Sequence, residues 1–212
     1  YRIKKIYFKK FKKLNKKIKF FKLSNIPMKT NSFLEKNIEM NENYIVLLNK
    51  KVYLTKLNWN NSIYNKLLIY NLNYFDFLLS KYANNHPTFC IRIINKWIKN
   101  CQNQLSDAWD PYPTSRRLIN WIKWIKKNKV NINKINNSIY LQTRWLYKNL
   151  EYDLLGNHII ANCSSLIISG SYFDTEESNK WLKKGIKLLI NQIDEQILKD
   201  GCHFERSTMY HS

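Results

Sequence analysis

Glycine and proline are scarce, with 4 of each in 212 residues. This excludes a collagen-like chain and argues against many short strands joined by tight turns. No apolar run reaches the roughly 18 residues that a membrane-spanning helix needs. The longest candidate, from Ile159 to Phe173, is interrupted by Asn162, Cys163, Ser164 and Ser165, so a polytopic membrane protein is excluded. The four cysteines, Cys90, Cys101, Cys163 and Cys202, show no C-x-x-C or zinc spacing, and His86, His158, His203 and His211 do not complete one. Buried free thiols are the expectation for the cysteines. No signal peptide is visible: the chain opens at Tyr1 rather than Met, and its first segment is basic throughout, without an apolar stretch and cleavage site. It stops at Ser212 with no closing element, and so reads as a fragment or a processed chain.

Acidic residues are also missing from the first 34 positions, which carry 12 basic ones. The whole chain has 36 Lys plus Arg against 15 Asp plus Glu, a net charge of +21, of which the last 178 residues carry +9. A positive field of this size favours polyanions: nucleic acid, anionic lipid or an acidic polysaccharide. With 29 Asn beside the many Lys and Ile, an AT-rich coding bias is the competing account of the surface lysines outside that first segment. The 44% apolar and 15% aromatic content excludes wholesale disorder. At this length one substantial domain buries roughly 70% of its unfolded surface.

Tyr1 to Leu23 reads as a basic amphipathic helix, with Ile3, Ile6, Tyr7, Leu14 and Ile18 between lysines. It fits a membrane surface or polyanion, or a peripheral helix packed on the body. Residues 1–43 therefore form a basic N-terminal segment and residues 44–212 the main domain. Ile45 to Leu54 reads as a short β-hairpin turning at Asn49-Lys50. From Ser62 onward the pattern is helix after helix, near 62–83, 87–101, 114–127, 132–152, 157–170 and 176–199. Asn61 or Ser62, Thr114 and Thr175 suit N-caps, Pro87 a first helical position and Gly201 a helix stop. The fold class is all-α, and short connections predict stacked antiparallel helical hairpins.

Three stretches depart from generic helix. In Trp109-Asp-Pro-Tyr-Pro-Thr-Ser-Arg-Arg117, two prolines and two aromatics predict a stiff extended loop before a helix. Arg116 and Arg117 would then sit in the first turn, against the helix dipole, where an anion can offset them. In Leu150 to Asn162, Gly156 breaks a helical pattern and Asn157-His158 restarts it. An amide and an imidazole beside free backbone N–H groups suit a carboxylate. Asp200 to His211 gathers Glu205, Arg206, Tyr210, His203 and His211 behind a helix. Each stretch also has a structural reading: a Pro-aromatic turn, a hydrogen-bonded histidine, and a mixed-charge loop.

Taken together, WDPYPTSRRLINWIKW, LQTRWLYKNLEYDLLGNHIIANCSSLIISG and DEQILKDGCHFERSTMYH resemble three blocks of the heparinase II/III family, in order. NWNNSIYNKLLIYNLNYFDFLL resembles the start of that family's helical domain. The resemblance covers roughly residues 44–212; Asp153 and Thr208 stand where the family commonly has His and Pro. It implies an incomplete (α/α) toroid, C-terminally truncated, whose β-sandwich partner domain is absent from this sequence. The family cleaves uronic-acid polysaccharides such as heparan sulfate and alginate by β-elimination, commonly in the periplasm or outside the cell.

β-Elimination needs the C5 carboxylate neutralised, a base for the C5 proton and an acid for the leaving O4. By resemblance, Asn157 neutralises, His158 is its helper or the base, and Tyr210 is the acid. Tyr210 needs nearby positive charge to act as a base, which Arg206 supplies unless it pairs with Glu205. His211 binds substrate or orients Tyr210. Trp109, Tyr112, Arg116, Arg117, Glu205, Arg206 and His211 are the candidate substrate-binding residues. The scheme requires no metal and no cofactor. The expected partner is an anionic polysaccharide rather than a specific nucleic acid, with membrane-surface contact through the basic N-terminal helix as a further reading. The alternative function is a non-catalytic basic helical module, or a decayed remnant, that binds anionic polymers.

Overall fold

A computed structural model describes residues 22–25, 35–102, 106–152, 156–198 and 200–202. Of the basic N-terminal segment, the amphipathic helix read over Tyr1–Leu23 lies outside the described residues except at its last two positions. The hairpin forms: Tyr44–Leu47 (β1) pairs antiparallel with Lys50–Tyr53 (β2), with Leu47 opposite Lys50. Its turn is Leu48-Asn49, not Asn49-Lys50, since these two residues take positive φ (51° and 60°). Paired left-handed residues match the strand twist in a two-residue turn. Ile45, Leu47 and Val52 face the core, while Leu48 is exposed.

Seven α-helices follow among the described residues: α1 Lys66–Tyr74, α2 Lys81–Asn85, α3 Pro87–Cys101, α4 Pro111–Lys127, α5 Asn133–Lys148, α6 Asn157–Tyr172 and α7 Glu176–Gln196. The all-α reading with one short hairpin holds. The single helix expected over 62–83 does not: it divides into α1, a 3-10 turn at Asp76–Leu79, and α2. The break is Phe75, a left-handed residue (φ 60°) with no exposed surface, stacked on Trp59 at 5.1 Å and edge-on to Trp121 at 5.2 Å. The N-cap of α1 is Asn65, whose side chain accepts from the Leu68 N–H, rather than Asn61 or Ser62. Pro87 does begin α3, and Thr175 caps α7 in a capping box with Ser178. Helix α7 ends at Gln196, and Gly201 (φ 83°) follows it by several residues.

Helices α6 and α7 pack closely enough that side-chain size matters. A Cβ on Gly170 would lie 2.7 Å from the Leu182 nitrogen, and one on Gly185 would lie 2.9 Å from Ile167 Cγ1. As the position advances from 167 to 170 on α6, its partner falls from 185 to 182 on α7, so the pair is antiparallel. Ser165 and Ser169 are also buried on α6. Lys22 to Ser24 lie against the link between these helices: Ser24 N donates to Tyr172 O and Asp174 N to Lys22 O.

Beneath α4 lies an aromatic core. Trp97 contacts Trp109 (5.9 Å) and Trp121 (5.5 Å), and Trp109 contacts Trp145 (5.6 Å). Each buried aromatic ring removes a large apolar area from water, and edge-to-face geometry adds to that. Cys90, Cys101 and Cys163 are buried thiols and Cys202 is exposed. Burial pushes Cys90 and Cys101 up to about 12 and Cys163 to about 11.

Candidate functional site

Helix α4 begins three residues earlier than its sequence suggests. Asp110 is the N-cap, and Pro111 and Pro113 lie inside the first turn, where their missing N–H groups cost nothing. The Trp-Asp-Pro-Tyr-Pro run is thus a 3-10 turn (Asp107–Trp109) and a helix start, not an extended loop. Thr114 is not a cap but a buried residue within the helix. This shift moves Arg116 and Arg117 out of the first turn; as neighbours in a helix they lie on two different faces.

Arg117 points inward and is fully buried. Its Nε donates to Gln142 Oε1 (2.7 Å), Nη1 to Ala108 O (2.9 Å) and Asn73 O (3.2 Å), and Nη2 to Thr114 Oγ1 (3.3 Å). Its guanidinium lies 4.0 Å from the centre of the Trp97 ring. Burial lowers its pKa to about 9, so it stays charged at neutral pH. None of these acceptors is a carboxylate. Arg117 has no surface to offer a polysaccharide, against the expectation that it binds substrate. The same holds for Trp109, which is 1% exposed and whose indole N–H donates to Cys101 O (2.7 Å).

Tyr112 and Arg116 share the outward face, four residues apart. His158 opens α6, where Gly156 (φ 78°, ψ −141°) lets the chain turn in as a side chain there would not. The His158 ring stacks on Tyr112 (4.4 Å, 30° between planes). Tyr112 meets Tyr74 edge-on at 5.5 Å, and Tyr74 contacts Tyr70 at 6.3 Å. The Tyr70 hydroxyl donates to Asp110, and Lys66 lies 3.6 Å from the same carboxylate. Burial, then Asp110, raises the Tyr70 pKa, and burial with Tyr112 nearby raises that of Tyr74; both phenols stay neutral. On the other side of His158, Nδ1 lies 3.1 Å from Glu151 Oε2. Asn157 is exposed beside it at the first position of α6.

Arg116 Nη2 donates to both Asp76 oxygens (3.2 and 3.3 Å), which Lys36 and Asn120 Nδ2 (2.6 Å) also meet. Burial alone would raise the Asp76 pKa, but Arg116 and Lys36 outweigh it and hold the carboxyl below its usual range. Lys123, one turn beyond Asn120, has its pKa lowered by burial and by Arg116 and Lys36.

The structure therefore brings together Asn157, His158, Tyr112 and Arg116, and sends Trp109 and Arg117 to the interior. Glu205, Arg206, Tyr210 and His211 lie outside the described residues. Sequence reading missed Glu151, Asp110, Tyr70, Tyr74 and Asp76. For two of them a signal existed: Tyr70 and Tyr74 are four apart on one helix face, a spacing that brings side chains together.

Residues 10–212 match the family described as Heparinase II/III N-terminus. A heparin-sulfate lyase of Bacteroides thetaiotaomicron is 26% identical over 133 residues, 57% of this chain and 19% of that protein. One from Bacteroides stercoris is 33% identical over 61 residues, 28% of this chain and 9% of that protein. The chain thus spans a fifth or less of the curated relatives it matches. Among solved structures, heparan sulfate lyase HepC from Pedobacter heparinus superposes with TM-score 0.56 at 20% identity, over 76% of this chain and 29% of that one. A mutant of HepC gives 0.59 at 18% identity, over 99% and 37%. At these identities the likeness speaks for the fold, the helical toroid class, and not for the chemistry.

Proposed function

From the premise that this chain belongs to the heparinase II/III family, we propose that it carries one wall of a polysaccharide lyase site and acts on an acidic, uronate-containing polymer by β-elimination. The observation that carries the reading is the Asn157-His158 pair at the start of α6, with Asn157 exposed and the part-open His158 imidazole held between Tyr112 and Glu151. An amide next to free helix N–H groups can bind the C5 carboxylate and the charge that develops on it. An oriented imidazole can hold or take a proton. Tyr112 and Arg116 extend the same face with a ring and a cation for the neighbouring sugars. Tyr210 is proposed as the acid that protonates O4, and Glu205, Arg206 and His211 as its neighbours at the site. The +21 net charge of the whole chain favours the approach of an anionic polymer.

The test is to offer the protein heparan sulfate, and alginate as the unsulfated comparison, and read the near-UV absorbance of an unsaturated uronate. Tyr210→Phe should abolish the product with the fold intact; normal turnover by that variant rejects the assignment. The charge alone favours a second reading, a binding module without turnover. It predicts salt-sensitive binding to heparin-like polymers and nucleic acid alike, with no product.

A further inference from the structure

The lyase reading leaves open which nitrogen of His158 meets the substrate, and the residue that decides this is Glu151. The main chain that carries Glu151 is anchored: its N–H donates to Asn162 Oδ1 (3.0 Å) on α6. Asn162 is fully buried, and its Nδ2 donates to Ser115 Oγ (3.1 Å) on α4. Glu151 therefore sits on two helices at once rather than on a free loop. Its side chain is 15% exposed and reaches Nδ1 of His158, while Tyr112 covers one face of the ring. His158 keeps 31% of its side-chain surface open.

An ionised carboxylate only accepts hydrogen bonds, so the proton sits on Nδ1 and Nε2 is the nitrogen left over. We infer that Glu151 is a positioning residue, which fixes His158 as the Nδ1–H tautomer and presents Nε2 to the substrate as a proton acceptor. Asn157 then keeps the neutralising role. In the elimination, which rests on the lyase reading above, Nε2 takes the C5 proton and the C–H electron pair closes the C4=C5 double bond. The C4–O4 bond breaks with its pair on O4, which collects a proton from the acid. The imidazolium that results lies beside Glu151, which balances its charge.

Among the described residues, the groups around this pair are Asp110, Tyr70, Tyr74, Tyr112 and, through Asp110, Lys66. Burial pushes the Glu151 carboxyl up, and Asp110 adds to that, against the downward pull of His158. A carboxyl raised in the fold costs stability as the pH rises from its unfolded pKa through its folded one, so the sign differs from that of a structural ion pair. Glu151→Gln should accordingly keep or raise the melting temperature at neutral pH.

Nitrogen-15 NMR of the histidine rings in the 212-residue chain tests the inference directly. The wild type should show His158 protonated at Nδ1 and bare at Nε2 at neutral pH. In Glu151→Gln the two tautomers should mix, and kcat should fall on the order of 10- to 100-fold with KM nearly unchanged. An Nε2–H tautomer in the wild type, or an unaltered tautomer in the variant, overturns the inference. If Glu151→Gln fails to fold, the wild-type spectrum decides alone. If the wild type releases no unsaturated product from any uronate polymer, the lyase reading falls while the tautomer result still judges Glu151.

Discussion

Arg116 and Arg117 are adjacent in sequence and about 100° apart around α4, and they live in different media. Arg117 is sealed beneath the helix, where backbone carbonyls, an amide and an indole face take up its charge. Arg116 is on the wet side, sharing Asp76 with Lys36 in line with Tyr112. Below α4, polar groups serve the packing and are closed to ligands. Above it, they meet carboxylates and rings that solvent also reaches. One helix thus divides scaffold from site, and residue type alone does not say which side is which.

The largest effect that tests this division is expected at Arg117. Arg117→Met removes a buried cation and leaves Gln142, Asn73 O and Ala108 O without their donor, which should cost about 3–5 kcal/mol. Arg117→Lys should not rescue it, because one ammonium cannot reproduce the guanidinium fork. Arg116→Met, at the half-exposed position, should cost no more than about 1 kcal/mol. Denaturant unfolding of the variants gives both numbers. Equal losses would mean that the two faces are not energetically distinct.

An intermediate effect is expected at Asp76, which faces the site side yet ties Lys36 to α4. Its pKa lies below the unfolded value of about 3.9. Its contribution is therefore complete above that value and is lost as the pH falls through the folded pKa. Asp76→Asn should cost about 1–3 kcal/mol at neutral pH. The two proteins should converge when unfolding is followed down into the acid range. A gap that persists at low pH would assign the loss to packing and not to charge.

The same helix shows what the sequence made legible. The apolar spacing was enough to find α3 to α7, and Pro87 and Thr175 marked two starts because their chemistry is local. The start of α4 was misplaced by three residues, since Thr114 looks like a cap and Asp110-Pro111 acts as one. The offset took both arginines out of the first turn, but it is the inward face of α4 that reversed the reading of Arg117 and not that of Arg116. The break at Phe75 was hidden for another reason: the left-handed turn is imposed by Trp59 and Trp121, which are distant in sequence. At the site, His158 stood out beside Gly156. Glu151 did not, because its meaning depends on its contact with His158 and, through Asn162, on an anchor at Ser115.

The smallest effect should come from the outer side of α7. Its inner side buries Trp181, Gly185 and Gln196, whereas Ile186, Ile190, Ile193 and Ile197 recur at four- and three-residue spacing and stay exposed. By periodicity alone this stripe would be taken for a core face. Exposure argues otherwise, because an apolar group that is wet in the folded state gains little by folding. Ile190→Lys should therefore change stability by no more than about 0.5 kcal/mol, whereas Leu166→Ala on the buried face of α6 should cost about 2–5 kcal/mol. Denaturant midpoints at two protein concentrations separate the cases. A loss above about 1 kcal/mol at Ile190 that does not depend on concentration would place the stripe under cover within the chain, and α7 would then be a helix with two buried faces.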